Sequence, residues 1–331
     1  MITTYQSNAI TYLRVISMLM IIACHICQVF GNHWAWVLNI GVQIFFVISG
    51  YLYGNRQILN WPSWFYGRLR KVYLPFVIYL AIVLPLYTIF HRECISIISP
   101  IVYLLNLQGM YWGVILGLNH LWFLTDIGIC YAFTPLLQIV SGVKSGVGWK
   151  WIVLITMVWF LWVDVVRYNG WHYHVLLFGI AYMIGKLQRK AERLVILAVV
   201  SIASIPMLNL MSWDIILHGE VLAYIWRVIS SLFVFVLFLF VFEMFRLSRQ
   251  PSIVRFFCNQ SYYAYIVHHI YIIGPFSVIA AMEFAYVTII YIVIIIIVSS
   301  VILSRLSSVV ENKVKQLWIP CEKKESPNSI C

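Results

Sequence analysis

AITYLRVISMLMIIACHICQVF, residues 9–30, is long enough and apolar enough to cross a bilayer, yet it carries Arg14 and His25. Burying either group in hydrocarbon is costly, so an ionisable residue inside a span is read as a functional site. The two lie eleven positions apart. At 100° and 1.5 Å per residue this places them on one helix face, about 16 Å apart along the axis. The sequence therefore predicts a guanidinium near one membrane surface and an imidazole near the midplane.

The rest of the chain is of the same kind. Its 331 residues are 63% hydrophobic and 10% charged, with a mean hydropathy of +0.92, more apolar residue than a soluble interior can hold. With about twenty residues per crossing, the apolar runs predict an all-α, polytopic bundle of ten spans. These cover residues 9–30, 35–53, 72–90, 118–139, 149–166, 172–187, 194–211, 221–245, 261–282 and 284–303.

Basic residues orient the bundle, because short loops rich in Lys and Arg stay cytoplasmic. With both termini inside, the cytoplasmic segments hold Arg56, Arg68, Arg70, Lys71, Lys144, Lys150, Lys186, Arg189, Lys190, Arg193, Arg246, Arg249, Arg255, Arg305, Lys313, Lys315, Lys323 and Lys324. The external ones hold only Arg92 and Arg167. The net charge of +11 thus reads as topology and contact with anionic lipid, and not as nucleic-acid binding. Residues 95–116 are apolar but broken by Pro100, Asn106, Gln108 and Gly113, and read as a re-entrant or interfacial segment. Residues 306–331 form a short basic tail.

The seven cysteines are odd in number and scattered mainly through apolar runs, which argues against a disulfide framework. Cys24, His25 and Cys27 point in different directions on a helix, and no second cluster of ligands accompanies them, so no metal site is expected. Asp126 and Arg227 both fall within spans and are expected to compensate one another structurally.

Five short motifs stand in order. They are Leu13-Arg14 with His25; Phe45-Phe46-Val47-Ile48-Ser49-Gly50-Tyr51-Leu52; Arg68-Leu69-Arg70-Lys71-Val72-Tyr73-Leu74-Pro75; His120-Leu121-Trp122-Phe123-Leu124; and Ser261-Tyr262-Tyr263-Ala264-Tyr265-Ile266-Val267-His268. In this combination the chain resembles the acyltransferase-3 family, integral-membrane enzymes that O-acetylate bacterial surface glycans, over residues 8–305. The resemblance implies a membrane domain in the bacterial plasma membrane. It would move an acyl group, acetyl first among candidates, from cytoplasmic acyl-coenzyme A to a hydroxyl of a polysaccharide or lipid-linked glycan, with no permanently bound cofactor.

The resemblance gives His25 the catalytic role and Arg14 a role in donor binding, and extends donor binding to Arg68, Arg70 and Lys71. The chemistry suits these types: imidazole can take a hydroxyl proton at neutral pH, and guanidinium matches phosphate. Without the family, three basic residues before a span would be ordinary membrane anchors. His120, Trp122, Ser261, Tyr265 and His268 are expected to support the site or the acceptor, although a lone His or Trp is as often structural. His269, on another face, is outside the motif. Gln43 stands where many relatives have Asp. It could orient the imidazole, but a neutral amide could not neutralise its protonated form. Ser49 is read as part of a small packing face and not as a nucleophile. The rival reading is a transporter of polysaccharide or lipid-linked sugar, which would also use intramembrane Arg, His and Asp. It predicts inverted repeats, and none is evident.

Overall fold

The computed structural model describes residues 2–110, 115–142, 173–186, 220–277, 279 and 285–322, and among these there are helices and no strands. In order they are α1 (Thr4–Val29), α2 (Trp34–Leu38), α3 (Ile40–Gly54), α4 (Trp61–Arg68), a π turn (Leu69–Tyr73), α5 (Leu74–Phe90), α6 (Ser99–Leu104), α7 (Trp122–Gly142), α8 (Tyr173–Lys186), α9 (Glu220–Met244), α10 (Ser252–Ile272) and α11 (Ala285–Glu322). Six helices or joined pairs among the described residues are long and apolar enough to cross a membrane: Thr4–Val29, Trp34–Gly54, Trp61–Phe90, Asn119–Gly142, Tyr224–Met244 and Val287–Val314. The expected spans at 149–166 and 194–211 lie outside the described residues.

Boundaries differ from the hydropathy runs where capping decides them. Thr3 and Gln6 form a reciprocal capping box, each side chain bonding the other's main-chain N–H at 3.2 Å. Consequently α1 begins at Thr4, ahead of the apolar run. Within α1, Arg14 falls toward the middle and His25 one turn from the far end. Asn60 caps α4 through Ser63 N, with Pro62 in the first turn, so the segment read as a basic loop before residue 72 is already helical from Trp61. The ninth expected span also shifts. It begins at Ser252, which moves His268 to the end of α10. At the C-terminal end α11 continues through residue 305 to Glu322, so the expected tail begins as helix.

Residues 95–110 contain only the six-residue α6, about 9 Å of helix against a hydrocarbon core of about 30 Å. Their polar residues fasten them to α7. Asn106 Nδ2 donates to Leu124 O (2.9 Å), Gln108 Nε2 to Leu121 O (2.8 Å), Thr125 Oγ1 to Asn106 O (2.9 Å) and Gly109 N to Thr125 Oγ1 (3.0 Å). These bonds satisfy main-chain groups at Asn106 and Gly109, while Ile97, Ile101 and Leu105 of the same segment are exposed.

Small residues let the helices approach. A side-chain carbon at Gly50 or Gly54 would collide with the carbonyls of Phe178 and Tyr182, so α3 lies backbone to backbone along α8. At one end of the bundle, Asn8 donates to the carbonyls of Leu247 (3.1 Å) and Ser248 (2.7 Å), and Gln6 Nε2 donates to Glu243 Oε1 at 2.6 Å. These bonds tie the start of α1 to the end of α9.

Candidate active site

One helix face of α10 organises the site. Ser261, Tyr265 and His268 stand at i, i+4 and i+7, with Cys258 and Tyr262 on the same stripe. The lower part of that stripe lines a cavity of about 450 Å³. Arg14 of α1, Phe45, Ile48 and Ser49 of α3, Arg70, Lys71, Val72 and Pro75 around the π turn, and Phe123, Ile127 and Tyr131 of α7 complete most of its wall. Residues from all five motifs therefore meet around one space, cationic at one end and aromatic at the other.

The π turn places part of the cationic end. An i→i+5 turn holds one residue more than an α turn and is frequent at functional sites. Here it spans Leu69–Tyr73, and the Val72 carbonyl accepts a hydrogen bond from Tyr262 OH of α10. Arg70 Nε lies 2.8 Å from Glu311 Oε1 of α11, Lys71 is exposed, and both line the cavity. Arg68 does not join them. Its Nη1 donates to Tyr53 OH at 2.7 Å, its guanidinium lies 5.7 Å from the centre of the Tyr53 ring, and it lines a separate cavity of about 150 Å³. The expected basic trio is thus a pair plus a side chain already engaged with a phenol.

At the aromatic end Tyr265 links cavity and histidines. Its ring packs 5.0 Å from Phe123, and its hydroxyl donates to the His120 carbonyl. Beyond it stand four imidazoles. The His25 ring lies 5.1 Å from His268 and 4.5 Å from His269, while His120 lies 4.9 Å from His268 and stacks on His269 at 4.7 Å. His120, His268 and His269 are buried and His25 is half-buried. His25 is not among the residues lining the cavity; Tyr265 and His268 lie between.

Main-chain carbonyls fix two of the buried rings. His268 Nδ1 donates to Tyr265 O (2.7 Å) and His120 Nε2 to Ile266 O (3.1 Å). Gly117 has a positive φ of 83° and touches Gly274, a close approach that only glycine allows there. A ring that gives its single N–H to a carbonyl keeps a lone pair on the other nitrogen. Those nitrogens, His120 Nδ1 and His268 Nε2, are buried and without a hydrogen-bond partner in the structure, as is His269 Nδ1. Among the described residues no three His, Cys, Asp or Glu side chains are arranged to hold a metal ion.

Three expectations are redirected. Gln43 does not reach His25; its Nε2 donates to Tyr173 OH, and His25 Nδ1 instead lies 2.6 Å from Gln28 Oε1. Trp122 stands outside the histidine cluster, its ring 4.8 Å from that of His174. Asp126 is paired with His174 Nδ1 at 3.0 Å, while Arg227 lies over the rings of Trp36 (5.2 Å) and Tyr224 (5.9 Å). Ser261 lines the cavity as expected, with its hydroxyl bonded to Cys258 O at 2.8 Å. The sequence left His269 outside the motif and did not single out Gln28 or His174. Two of these were within reach: His269 adjoins a motif residue, and Gln28 is one turn from His25.

No curated protein and no solved structure matches the chain. A family model described as an acyltransferase domain matches residues 7–305, nearly the whole chain. With six apolar helices of spanning length among the described residues and a cavity lined by its motifs, the chain belongs to the acyltransferase-3 family of membrane transferases.

Proposed function

We propose that the protein moves an acetyl group from acetyl-coenzyme A to a hydroxyl of a surface polysaccharide or lipid-linked glycan in a bacterial plasma membrane. The observation that carries this reading is the single cavity that begins at Arg14, Arg70 and Lys71 and ends at Tyr265, which bonds the loop of the histidine cluster. Coenzyme phosphates suit the cationic end, because guanidinium pairs phosphate oxygens through a planar fork. The pantetheine arm would run between Phe45, Ile48 and Phe123 toward His25, about 16 Å further along α1 than Arg14. Coenzyme A is cytoplasmic, so the basic end faces the cytoplasm, the side on which the distribution of Lys and Arg also puts both termini.

In the reaction His25 takes the proton of the acceptor hydroxyl while its oxygen attacks the thioester carbonyl. The tetrahedral intermediate collapses with cleavage of the C–S bond, and the imidazolium returns the proton to the departing thiolate. The products are an O-acetyl ester and free coenzyme A. The glycan hydroxyl would arrive at the half-buried His25, since the rings of His120, His268 and His269 are closed off behind it.

His25→Asn tests the reading. Loss of a general base costs about 100- to 10,000-fold in rate. Mass spectrometry of surface glycan from cells carrying either version at matched membrane levels should show acetylation only with the native histidine. Near-normal acetylation by the Asn variant would make His25 a packing residue. Unchanged acetylation with altered glycan export would replace the enzyme by a transporter.

A further inference from the structure

We infer that Gln28 is a positioning residue for this reaction, holding His25 in the tautomer that leaves Nε2 free to take the acceptor's proton. The inference rests on the reading of His25 as the base. It begins from the 2.6 Å contact between His25 Nδ1 and Gln28 Oε1, formed between residues three apart on the last turns of α1. An amide oxygen only accepts, so the ring nitrogen facing it carries the hydrogen. A neutral imidazole has one N–H, and committing it to Nδ1 puts the lone pair on Nε2.

The surroundings leave this role to Gln28. His268 and His269 reach the ring from α10 and His120 stands behind them, but these are ring-to-ring contacts, and His268 and His120 give their own N–H to main-chain carbonyls. Gln43, the residue that sequence reasoning favoured, is engaged with Tyr173. Among the described residues no carboxylate bonds the His25 ring. Gln28 is exposed and His25 half-buried, so the pair lies on the open side of the cluster, where an acceptor can arrive.

An amide differs from a carboxylate in what it does after proton transfer. Both orient the ring, but only the carboxylate holds the imidazolium by charge. With Gln28 the proton taken from the hydroxyl stays mobile and passes to the thiolate within the same turnover. Gln28 thus fixes direction without trapping the proton.

The test uses the full-length protein in native membrane vesicles, with acetyl-coenzyme A as the probe and release of free thiol as the rate. Gln28→Met, similar in length but without the amide oxygen, should lower kcat on the order of 10- to 100-fold, part of a general base's worth, and leave the KM for acetyl-coenzyme A unchanged. Gln28→Glu keeps an acceptor at the same reach and should restore the Nδ1-protonated ring, with a kcat above that of Gln28→Met but below wild type because the carboxylate holds the imidazolium. Purified protein labelled with ring-¹⁵N histidine supplies a readout that packing alone would not move. The signals absent from His25→Asn belong to His25, and they should show an Nδ1-protonated ring in the wild type and a shift toward Nε2 protonation in Gln28→Met. A wild-type His25 protonated on Nε2 overturns the inference, as does a Gln28→Met variant within about twofold of wild-type kcat, while an inactive His25→Asn leaves the base reading standing. An active His25→Asn removes both.

Discussion

Arg14, Lys71 and Arg68 should differ sharply when each is replaced by alanine, although the family resemblance treats them as one donor-binding set. Arg14 is half-buried in the cavity wall, where screening by water is weak. A charge-assisted hydrogen bond to a phosphate there contributes on the order of 1.5 to 3 kcal/mol. At 1.4 kcal/mol per decade, Arg14→Ala should weaken coenzyme A binding roughly ten- to a hundredfold. Lys71 lines the same cavity but is exposed. Exposed pairs contribute little, so its loss should weaken binding by no more than about fivefold and less at high salt. Arg68 is held by Tyr53 outside the large cavity, and its removal should leave coenzyme A affinity unchanged. Calorimetric titration of coenzyme A into the three detergent-solubilised variants and the wild type gives all the constants. Equal losses for Arg14 and Arg68, or unchanged affinity in Arg14→Ala, would refute the placement of the donor in this cavity.

Two further outcomes concern packing. Asp126→Ala removes one member of a buried pair with His174, and should destabilise the bundle by on the order of 3 kcal/mol in thermal unfolding; an unchanged Tm would mean that the contact is immaterial. Gly54→Ala forces a methyl against the Tyr182 carbonyl and should cost about 1 to 3 kcal/mol, while Gly67→Ala, with open space at that position, should be tolerated. Equal Tm values for the two glycine variants would contradict the close crossing of α3 and α8.

What the sequence made legible follows from helical geometry. Ser261, Tyr265 and His268 share a face by spacing alone, and Arg14 and His25 stand a fixed length apart whatever the helix packs against. Hydropathy showed where the chain is apolar but not where its helices start. Asn60 with Pro62, and Thr3 with Gln6, move two starts outward by capping. Partners across the bundle were not legible. Whether Gln43 meets His25 or Tyr173, and whether Asp126 meets Arg227 or His174, depends on how neighbouring helices rotate, and no local spacing encodes that. The partner of Arg68 was not legible for a related reason: a segment read as a loop gives no sign of the helix and π turn that set Arg68 on Tyr53 and Arg70 and Lys71 on the larger cavity.

That turn also bears on how this helix can change over generations. Because the wider turn takes up one extra residue, deleting one residue within Leu69–Tyr73 would let the segment relax to ordinary α geometry while the helix on either side kept its facing. The change would fall on Arg70, Lys71 and the Val72 carbonyl, which the turn presents to the cavity and to Tyr262. A point substitution alters one contact here, whereas a single-codon deletion would re-aim the cationic end of the cavity and leave the rest of the helix in place. Gaps at this position, more than replacements, are the variation to look for between members that handle different donors.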